Sequence, residues 1–422
     1  MSGFHEMNGE LCADGVPLSS IAEAYGTPAY VYSAGEMKKQ YMALSGAMQE
    51  YLPADQQPLL CFACKANSNL GVLAYLRALG AGLEVVSGGE LTRGLKAGFN
   101  PAHIVFTGVG KTRDEMILGL TSGIHQFNVE SVPELIHLNA VAGEMNMKAP
   151  IVFRLNPHVT GGGHTKISTG RKHDKFGLDE TYLKQAFDML PSLPHIRCEG
   201  LSMHIGSQVS TVESFKEAFE KLPGLVRALR AQGHSINRLD IGGGFPIIYK
   251  DEKLLDLSAY AKWVRDIISP LKVEIIMEPG RYLVGNAGVL LSRVLYIKQT
   301  PDRQFLIVDS AMNDLIRPAM YDSYHAIEPI KNRHLPPVSY DVVGPVCESG
   351  DTFTKDRSLP ELSAGDLVVI RSAGAYGSAM SSNYNTRPFI PEILTHEGTH
   401  TCLRTRQTIE EIFAKEHIPN WL

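Results

Sequence analysis

The chain has 422 residues, which at roughly 150 residues per domain predicts two or three domains. Charged residues make up 20% of the chain and hydrophobic residues 44%, a composition that excludes a disordered or fibrous protein. Lys and Arg total 40 against 45 for Asp and Glu, so the net charge of −5 gives no reason to expect nucleic acid or a membrane as partner. Six sparse cysteines and an acidic N-terminal segment without signal features predict a cytoplasmic protein.

From about residue 35 to 285, short apolar runs alternate with longer helical patterns. The predicted strands are 59–64, 82–86, 103–107, 125–129, 150–155, 198–204, 237–241 and 273–278. The predicted helices are 70–79, 88–97, 113–122, 132–142, 180–190, 212–232 and 257–268. Eight strands alternating with helices over roughly 250 residues are typical of an α/β fold, the (β/α)8 TIM-type barrel. An open, doubly wound sheet is the alternative.

After residue 285 the pattern changes to short strand-like runs separated by turns rich in Gly, Pro and Asp. The predicted strands are 289–297, 304–308, 340–343, 366–371 and 391–395. Another strand is predicted at 29–32, and an N-terminal segment of this kind often joins a β-domain. We therefore expect a barrel at 36–285 and an all-β domain built from 1–35 and 286–422.

Polar side chains stand at the ends of several predicted barrel strands, where barrel enzymes carry their active sites. Lys65 follows the first strand, His204 ends the sixth and Glu278 ends the eighth. A lysine there can extend into solvent, or it can be desolvated and become a nucleophile that attacks a carbonyl group. His204 is either a hydrogen-bonded core residue or part of a ligand site.

Three consecutive glycines, Gly242–Gly244, end the seventh strand in the segment DIGGGF. They form either a flexible turn or a loop whose backbone N–H groups bind a phosphate. Phosphate sites after strands seven and eight are common in this fold, and Arg281 in EPGR could add a charge-assisted contact.

The predicted β-domain carries clusters of its own. Arg317 and Tyr321 stand four residues apart in RPAMY, Cys347 and Glu348 lie in CESGD, and Tyr376 lies in GAYG. An arginine recognises a carboxylate, and a partly exposed thiol can transfer protons. Each cluster alone could be an ordinary loop, but three in one domain favour a site.

The segments that carry these residues resemble the fold-type III pyridoxal-phosphate decarboxylases, whose barrel is like that of alanine racemase. RPAMY and CESGD resemble the diaminopimelate decarboxylase branch and separate it from ornithine and arginine decarboxylases. The resemblance runs from about residue 27 to 388. The other matching segments include CKANSNLGVL, EVVSGGEL, RLNP, HTKISTG, DKFG, HIGSQ, DIGGGF, EPGR and GAYGSAMSSNYN.

The resemblance implies pyridoxal 5'-phosphate as the cofactor and no metal. Lys65 would hold it covalently, His204 would stack on its ring and Glu278 would pair with its ring nitrogen. The cofactor phosphate would be bound by Ser207, Gly242, Gly243, Gly244, Gly280, Arg281 and Tyr376. The distal end of the substrate would be bound by Arg281, Arg317, Tyr321, Glu348 and Tyr376.

The implied activity is that of a carboxy-lyase, which converts meso-2,6-diaminopimelate to L-lysine and CO2 in the last step of lysine biosynthesis. Cys347 would protonate the carbanion that remains after CO2 leaves. In this family the CESGD loop comes from the partner subunit, so a homodimer with shared active sites is implied.

Several positions depart from the family pattern. Glu84 stands where aspartate is common, Cys64 replaces a valine, Phe245-Pro246 replaces a Leu-Gly pair, and the segment at 158–170 is richer in glycine. They leave open a related decarboxylase that acts on another amino acid with a distal carboxylate. A non-catalytic pyridoxal-phosphate-binding protein is a third hypothesis, against which the β-domain and Cys347 count.

Overall fold

The computed structural model describes residues 3–156, 175–331 and 335–422, so the predicted features at 157–174, including HTKISTG, lie outside the described residues. The chain divides into two compact units. The barrel unit comprises Lys38–Ile248 and Glu252–Leu283. The β unit comprises Met1–Met37, Tyr249–Asp251 and Val284–Leu422.

Eight parallel strands close into a barrel, which confirms the (β/α)8 prediction over the open sheet. In chain order, the barrel strands are Leu59–Ala63, Gly82–Val85, Ile104–Phe106, Gln126–Val129, Ala149–Leu155, Ile196–Met203, Arg238–Asp240 and Glu274–Met277. The eighth strand pairs with the first and completes the closure. All eight apolar runs seen in the sequence therefore form the barrel wall.

Helices follow the strands, and most begin at a side chain that accepts a backbone N–H of the first turn, as N-cap residues do. Ser87, at the end of the second strand, is such a cap, since its hydroxyl accepts the N–H of Glu90. The helices of the barrel unit are Leu70–Ala78, Gly88–Lys96, Arg113–Ser122, Val132–Glu144, Glu180–Met189, Val212–Phe219, Leu222–Ala231 and Leu257–Trp263. A further helix, Ala34–Tyr51, precedes the first strand.

One predicted helix, at 212–232, is two helices in the structure. The first ends at Phe219 and the second begins at Leu222. Pro223 lies in the first turn of the second helix, where its missing N–H costs nothing, whereas inside a continuous helix its ring would clash with the preceding turn.

The β unit is built around the long strand Gly288–Gln299, which pairs with Gln304–Val308, Leu367–Ile370 and Ala29–Ser33. The N-terminal strand Ala29–Ser33 also pairs with Glu392–His396. The other strands of this sheet are Ile327–Pro329, Pro337–Val343, Thr352–Pro360 and Thr399–Arg404. A small separate sheet contains Phe4–Met7, Glu10–Ala13 and Val16–Pro17.

Buried apolar side chains from both ends of the sequence form one core cluster in this unit, among them Val31, Val289, Val369 and Ile393. Within residues 3–156, 175–331 and 335–422, no helix has the length and apolar character needed to cross a membrane.

Candidate active site

The upper interior of the barrel is lined by polar side chains. Residues that face each other in adjacent parallel strands point to the same side of the sheet. Ser202 pairs in this way with both Arg154 and Asp240, so all three point to one side. Asn128, in the fourth strand, donates to Asp240 Oδ2 in the seventh strand at 3.0 Å. A bond between strands that are not neighbours can only cross the interior, so this layer faces inward.

Lys65 lies in a short 3-10 turn, Cys64–Ala66, directly after the first barrel strand. Its Nζ lies 2.9 Å from Oε2 of Glu84 in the second strand. Glu84 is fully buried, whereas 38% of the Lys65 side chain stays accessible. The other oxygen, Glu84 Oε1, is buried and has no hydrogen-bond partner among the described residues. Lys65 is therefore held at the barrel mouth instead of extending freely into solvent.

His204 follows the sixth strand and is held by the glycine loop. Its Nδ1 accepts the backbone N–H of Gly243 at 3.2 Å, which leaves the ring proton on Nε2. Burial lowers the pKa of His204 well below its usual value, and the nearby charges of Arg154 and Lys65 lower it further. The ring is thus neutral and offers a flat, uncharged face.

The three glycines are required by the backbone and by the space around it. Gly242 and Gly244 have φ values of 66° and 98°, in the left-handed region that side chains rarely adopt. A Cβ on Gly243 would lie 2.1 Å from the carbonyl oxygen of Glu278. This loop is therefore a fixed, closely packed turn instead of a flexible one.

Two further residues of the predicted phosphate site meet at the same end of the barrel. Arg281, which is 6% exposed, donates from Nε to Ser207 Oγ at 3.2 Å. A Cβ on Gly280 would lie 3.0 Å from Cβ of Ala63, so the eighth strand end packs closely on the first. The structure thus brings Ser207, the glycine loop, Gly280 and Arg281 to one edge of the barrel unit.

Gln208 is a supporting residue that sequence analysis missed. Its amide nitrogen donates to the Ile247 carbonyl at 3.0 Å, and its amide oxygen accepts the Ile247 N–H at 2.8 Å. This pair of bonds joins the loop after strand six to the loop after strand seven. Gln208 has a φ of 65°, in the left-handed region. Glutamine rarely adopts this conformation, so nothing in the sequence predicted the turn.

Glu278, beyond the eighth strand, is a buried carboxyl group. Its Oε1 lies 3.4 Å from both Thr107 Oγ1 and Asn128 Nδ2. Burial raises the pKa of Glu278 well above its usual value, and the neighbouring charge of Asp240 raises it further. Both effects favour the protonated form of this carboxyl group.

In the β unit, Arg317 and Tyr321 begin and end one short helix and so stand one turn apart. Arg317 is 6% exposed, and its guanidinium carbon lies 4.6 Å from the ring centroid of Tyr249. Its NH1 donates to His325 Nε2 at 2.8 Å, while His325 Nδ1 donates to the Arg371 carbonyl at 2.7 Å. Tyr249 and His325, which sequence analysis missed, thus fix the orientation of the arginine.

Cys347 and Glu348 lie in an exposed loop whose shape is set by Asp351. The two Asp351 oxygens accept the N–H groups of Met312 at 2.6 Å and Val346 at 2.7 Å. Cys347 is an exposed free thiol, and its N–H donates to Asn385 at 3.2 Å. The second carboxylate of CESGD is therefore structural, and the thiol and Glu348 face solvent in this unit.

Tyr376 has a φ of 56°, in the left-handed region. A bulky residue in that region is strained, and such strain is concentrated at functional sites. Its position between Gly374 and Gly377 was visible in the sequence, but the strain was not.

Two departures from the family pattern are accounted for by packing. Phe245 is 2% exposed and packs in an aromatic cluster with Phe215, Tyr260 and Tyr282. Cys64 is buried, and burial raises the pKa of its thiol, so it is unreactive. Neither residue changes the polar groups at the barrel mouth.

Comparison with known proteins gives consistent results over the whole chain. Residues 38–285 match the family described as pyridoxal-dependent decarboxylase, pyridoxal binding domain. Diaminopimelate decarboxylase of Pseudomonas aeruginosa is 47% identical over 99% of both chains. That of Vibrio cholerae is 44% identical over 98% of both chains.

Solved structures agree with the sequence comparison. Diaminopimelate decarboxylase from Helicobacter pylori complexed with L-lysine has 37% identity and a TM-score of 0.90, covering 94% of this chain and 99% of that chain. The M. jannaschii enzyme in co-complex with L-lysine has 35% identity and a TM-score of 0.93, covering 100% of this chain and 99% of that chain.

Proposed function

Since the chain belongs to the pyridoxal-dependent decarboxylases and, within them, to the diaminopimelate decarboxylases, we propose that it converts meso-2,6-diaminopimelate to L-lysine and CO2. The observation that carries the proposal is the set of polar residues at one end of the barrel unit. It is centred on Lys65 beside Glu84, with His204 and Glu278 nearby in the same polar layer.

These residues fit pyridoxal 5'-phosphate. The Lys65 amine can bond the aldehyde, and the uncharged His204 ring can stack on a pyridine ring. Gly242–Gly244 form a turn in which a Cβ at any of the three positions would lie within 2.7 Å of a neighbouring backbone oxygen, so glycine alone keeps the backbone this close to the barrel mouth. The buried Glu84 Oε1 has no hydrogen-bond partner among the described residues, and an acceptor available beside the lysine supports this fit.

When bound, the cofactor supplies an aldehyde that captures the substrate amine and a ring that accepts the electrons of the broken carbon–carboxylate bond. Glu278 would hold a proton at the ring nitrogen, which makes the ring a better electron acceptor. Glu84 would receive the Lys65 ammonium group, as it does in the structure, when the substrate amine takes the place of the lysine. Ser207, Gly242–Gly244, Gly280, Arg281 and Tyr376 would bind the phosphate.

The barrel unit is thus proposed as the cofactor domain, and the β unit as the source of residues that bind substrate and form the dimer. Arg317 and Tyr321, with Arg281 and Tyr376, would bind the carboxylate that is not lost. The orientation of Arg317 by His325 and Tyr249 supports this role, because a fixed guanidinium loses less freedom on binding.

A homodimer with shared active sites is part of the proposal. Cys347 of the partner subunit would protonate the carbon that has lost CO2, and Glu348 of the partner subunit would bind the distal amino group. The Cys347 thiol is free and exposed, which supports a role in the active site of a partner subunit. Six cysteines without a disulfide also support a reducing compartment, and we propose the cytoplasm.

The test incubates the purified protein with pyridoxal phosphate and, separately, with meso-diaminopimelate, ornithine, arginine and other amino acids that carry a distal carboxylate. We expect L-lysine and CO2 from meso-diaminopimelate. Lys65→Ala should lose the visible absorption band of covalently held cofactor, whereas the exposed-site control Lys184→Ala should keep it. Turnover of another amino acid without lysine formation would contradict the proposed substrate.

A further inference from the structure

Two carboxyl groups meet inside the barrel, and sequence analysis assigned a role to only one of them. Asp240, at the end of the seventh strand, lies close to Glu278, since Asn128 Nδ2 is 3.0 Å from Asp240 Oδ2 and 3.4 Å from Glu278 Oε1. Asp240 is 2% exposed and Glu278 is 7% exposed. Two buried carboxyl groups this close are not both ionised unless a cation lies beside them, so without such a cation the pair carries one proton.

Hydrogen-bond donors favour the ionised form at Asp240. Its Oδ1 accepts the Gly242 N–H at 2.9 Å, and its Oδ2 accepts Asn128 Nδ2 at 3.0 Å. The donors nearest to Glu278 Oε1, from Thr107 and Asn128, are both at 3.4 Å. Since donors stabilise a carboxylate and shorter bonds do so more strongly, the negative charge resides on Asp240 and the proton on Glu278.

The orientation of Asn128 is fixed by its other contacts. Its amide oxygen accepts Gln126 Nε2 at 2.8 Å, so its NH2 group must face the opposite way. One hydrogen of that group serves Asp240 at 3.0 Å, and the other serves Thr107 Oγ1 at 3.0 Å. Both amide hydrogens of Asn128 therefore bond to Asp240 and Thr107. Asn128 stabilises an ionised Glu278 only weakly.

Other charged and titratable groups also act on the pair. The negative charge of Glu84 disfavours ionisation of both Asp240 and Glu278. The positive charge of Lys65 favours ionisation of Glu278. His204 is neutral, and burial raises the pKa of the Cys61 thiol, so it is neutral too. Arg154 is paired with Glu130 at 3.1 Å. Within this set, Asp240 is the group that shares the Asn128 donor with Glu278.

We propose that Asp240 is a positioning residue that keeps Glu278 as the proton-carrying member of the pair, so that Glu278 presents an O–H group to the nitrogen of the bound pyridine ring. This inference rests on the proposed function. As the proton passes to the ring nitrogen, the O–H bond of Glu278 breaks and an N–H bond forms, with no change in electron count. The negative charge of Asp240 then favours the protonated ring.

The experiment uses holoenzyme loaded with cofactor that is 15N-labelled at the ring nitrogen, whose chemical shift reports the proton. Spectra are recorded from about pH 6 to 9 for wild type, Asp240→Asn and the exposed control Asp188→Asn. We expect wild type and control to stay protonated throughout and Asp240→Asn to lose the proton within this range. That change is at least a tenfold loss of proton affinity, or about 1.4 kcal/mol.

The assignment would be overturned if the cofactor ring nitrogen titrated in Asp240→Asn as it does in wild type. If this variant does not fold, Asn128→Ala replaces it, because removal of the Asn128 donor weakens the Asp240 anion and should shift the same titration in the same direction. An unchanged titration there would contradict the proposal equally. A wild-type protein that binds no cofactor would contradict the proposed function instead, and is detected first by the visible absorption band.

Discussion

Lys65 Nζ lies 2.9 Å from Glu84 Oε2, and this ion pair joins a partly accessible amine to a fully buried carboxylate. The carboxylate depends on its partner, because a buried charge without compensation is costly. Glu84, which stands where the family commonly has aspartate, thus keeps a carboxylate beside Lys65.

Removal of the lysine should expose that dependence. In cofactor-free Lys65→Ala, Glu84 keeps its buried position but loses its counter-charge, which leaves a buried carboxylate without compensation. The variant should be less stable than wild type by about 2 kcal/mol at neutral pH, after allowance for the exposure of Lys65. Urea unfolding at several pH values measures this.

The double variant Lys65→Ala/Glu84→Gln is the control, since it has no buried charge to compensate. It should regain most of the lost stability at neutral pH. Equal stability of the single and double variants at all pH values would show that the ion pair does not hold Glu84.

The glycine loop gives a steric prediction. Gly243→Ala would place a Cβ 2.1 Å from the Glu278 carbonyl oxygen, so the loop must shift. We expect a stability loss of about 3 kcal/mol and weaker cofactor binding, measured by unfolding and by titration of the visible band. Gly224→Ala is the matched control, because a Cβ there meets nothing within 4 Å. Wild-type cofactor affinity in Gly243→Ala would contradict a fixed, closely packed loop.

His204 gives a pH prediction with a definite sign. Its pKa is lowered in the folded state, so below about pH 6.5 the unfolded chain binds a proton that the folded chain does not. Stability must therefore fall as the pH falls through this range, by up to about 1.4 kcal/mol per pH unit from this group. Removal of the group by His204→Gln should flatten the slope of unfolding free energy against pH between about 6.5 and 5.

The exposed His396 provides the comparison, since His396→Gln should leave the slope unchanged. A His204→Gln slope equal to that of wild type would mean that His204 is protonated in the folded protein.

The shared active site can be tested by mixing two inactive variants, Lys65→Ala and Cys347→Ala. If Lys65 and Cys347 act in one site from different subunits, each hybrid dimer has one complete site. Random exchange should then restore about a quarter of wild-type activity, because half of the dimers are hybrids. Recovery is measured after subunit exchange has been verified with tagged chains; exchange without recovery would contradict the shared site.

Much of the fold follows from local sequence. The barrel strands are apolar runs, and helices begin close behind several of them at capping residues such as Ser87 and Thr112, so the alternation was visible without tertiary contacts. The strand Thr352–Pro360 was not predicted, because most of its residues are partly or fully exposed and it carries Lys, Asp and Arg. Pairing with Pro337–Val343, not apolar content, makes it a strand.

The supporting residues of the candidate site could not be predicted in the same way. Asn128 and Asp240 are 112 residues apart and meet only because the barrel closes. Tyr249 and Arg317 likewise come together through tertiary packing. The motif residues were visible because each stands at a strand end or beside glycine, whereas their partners carry no such local mark.

The most direct test of the account uses meso-diaminopimelate labelled with 13C in the carboxylate of its D-configured centre. Wild-type protein with pyridoxal phosphate should release labelled CO2 and unlabelled L-lysine in equal amounts, and Lys65→Ala should release neither. Labelled lysine with unlabelled CO2 would mean that the L-configured centre loses its carboxylate and would contradict L-lysine as the product. The absence of lysine from cofactor-loaded wild-type protein would contradict the proposed function itself.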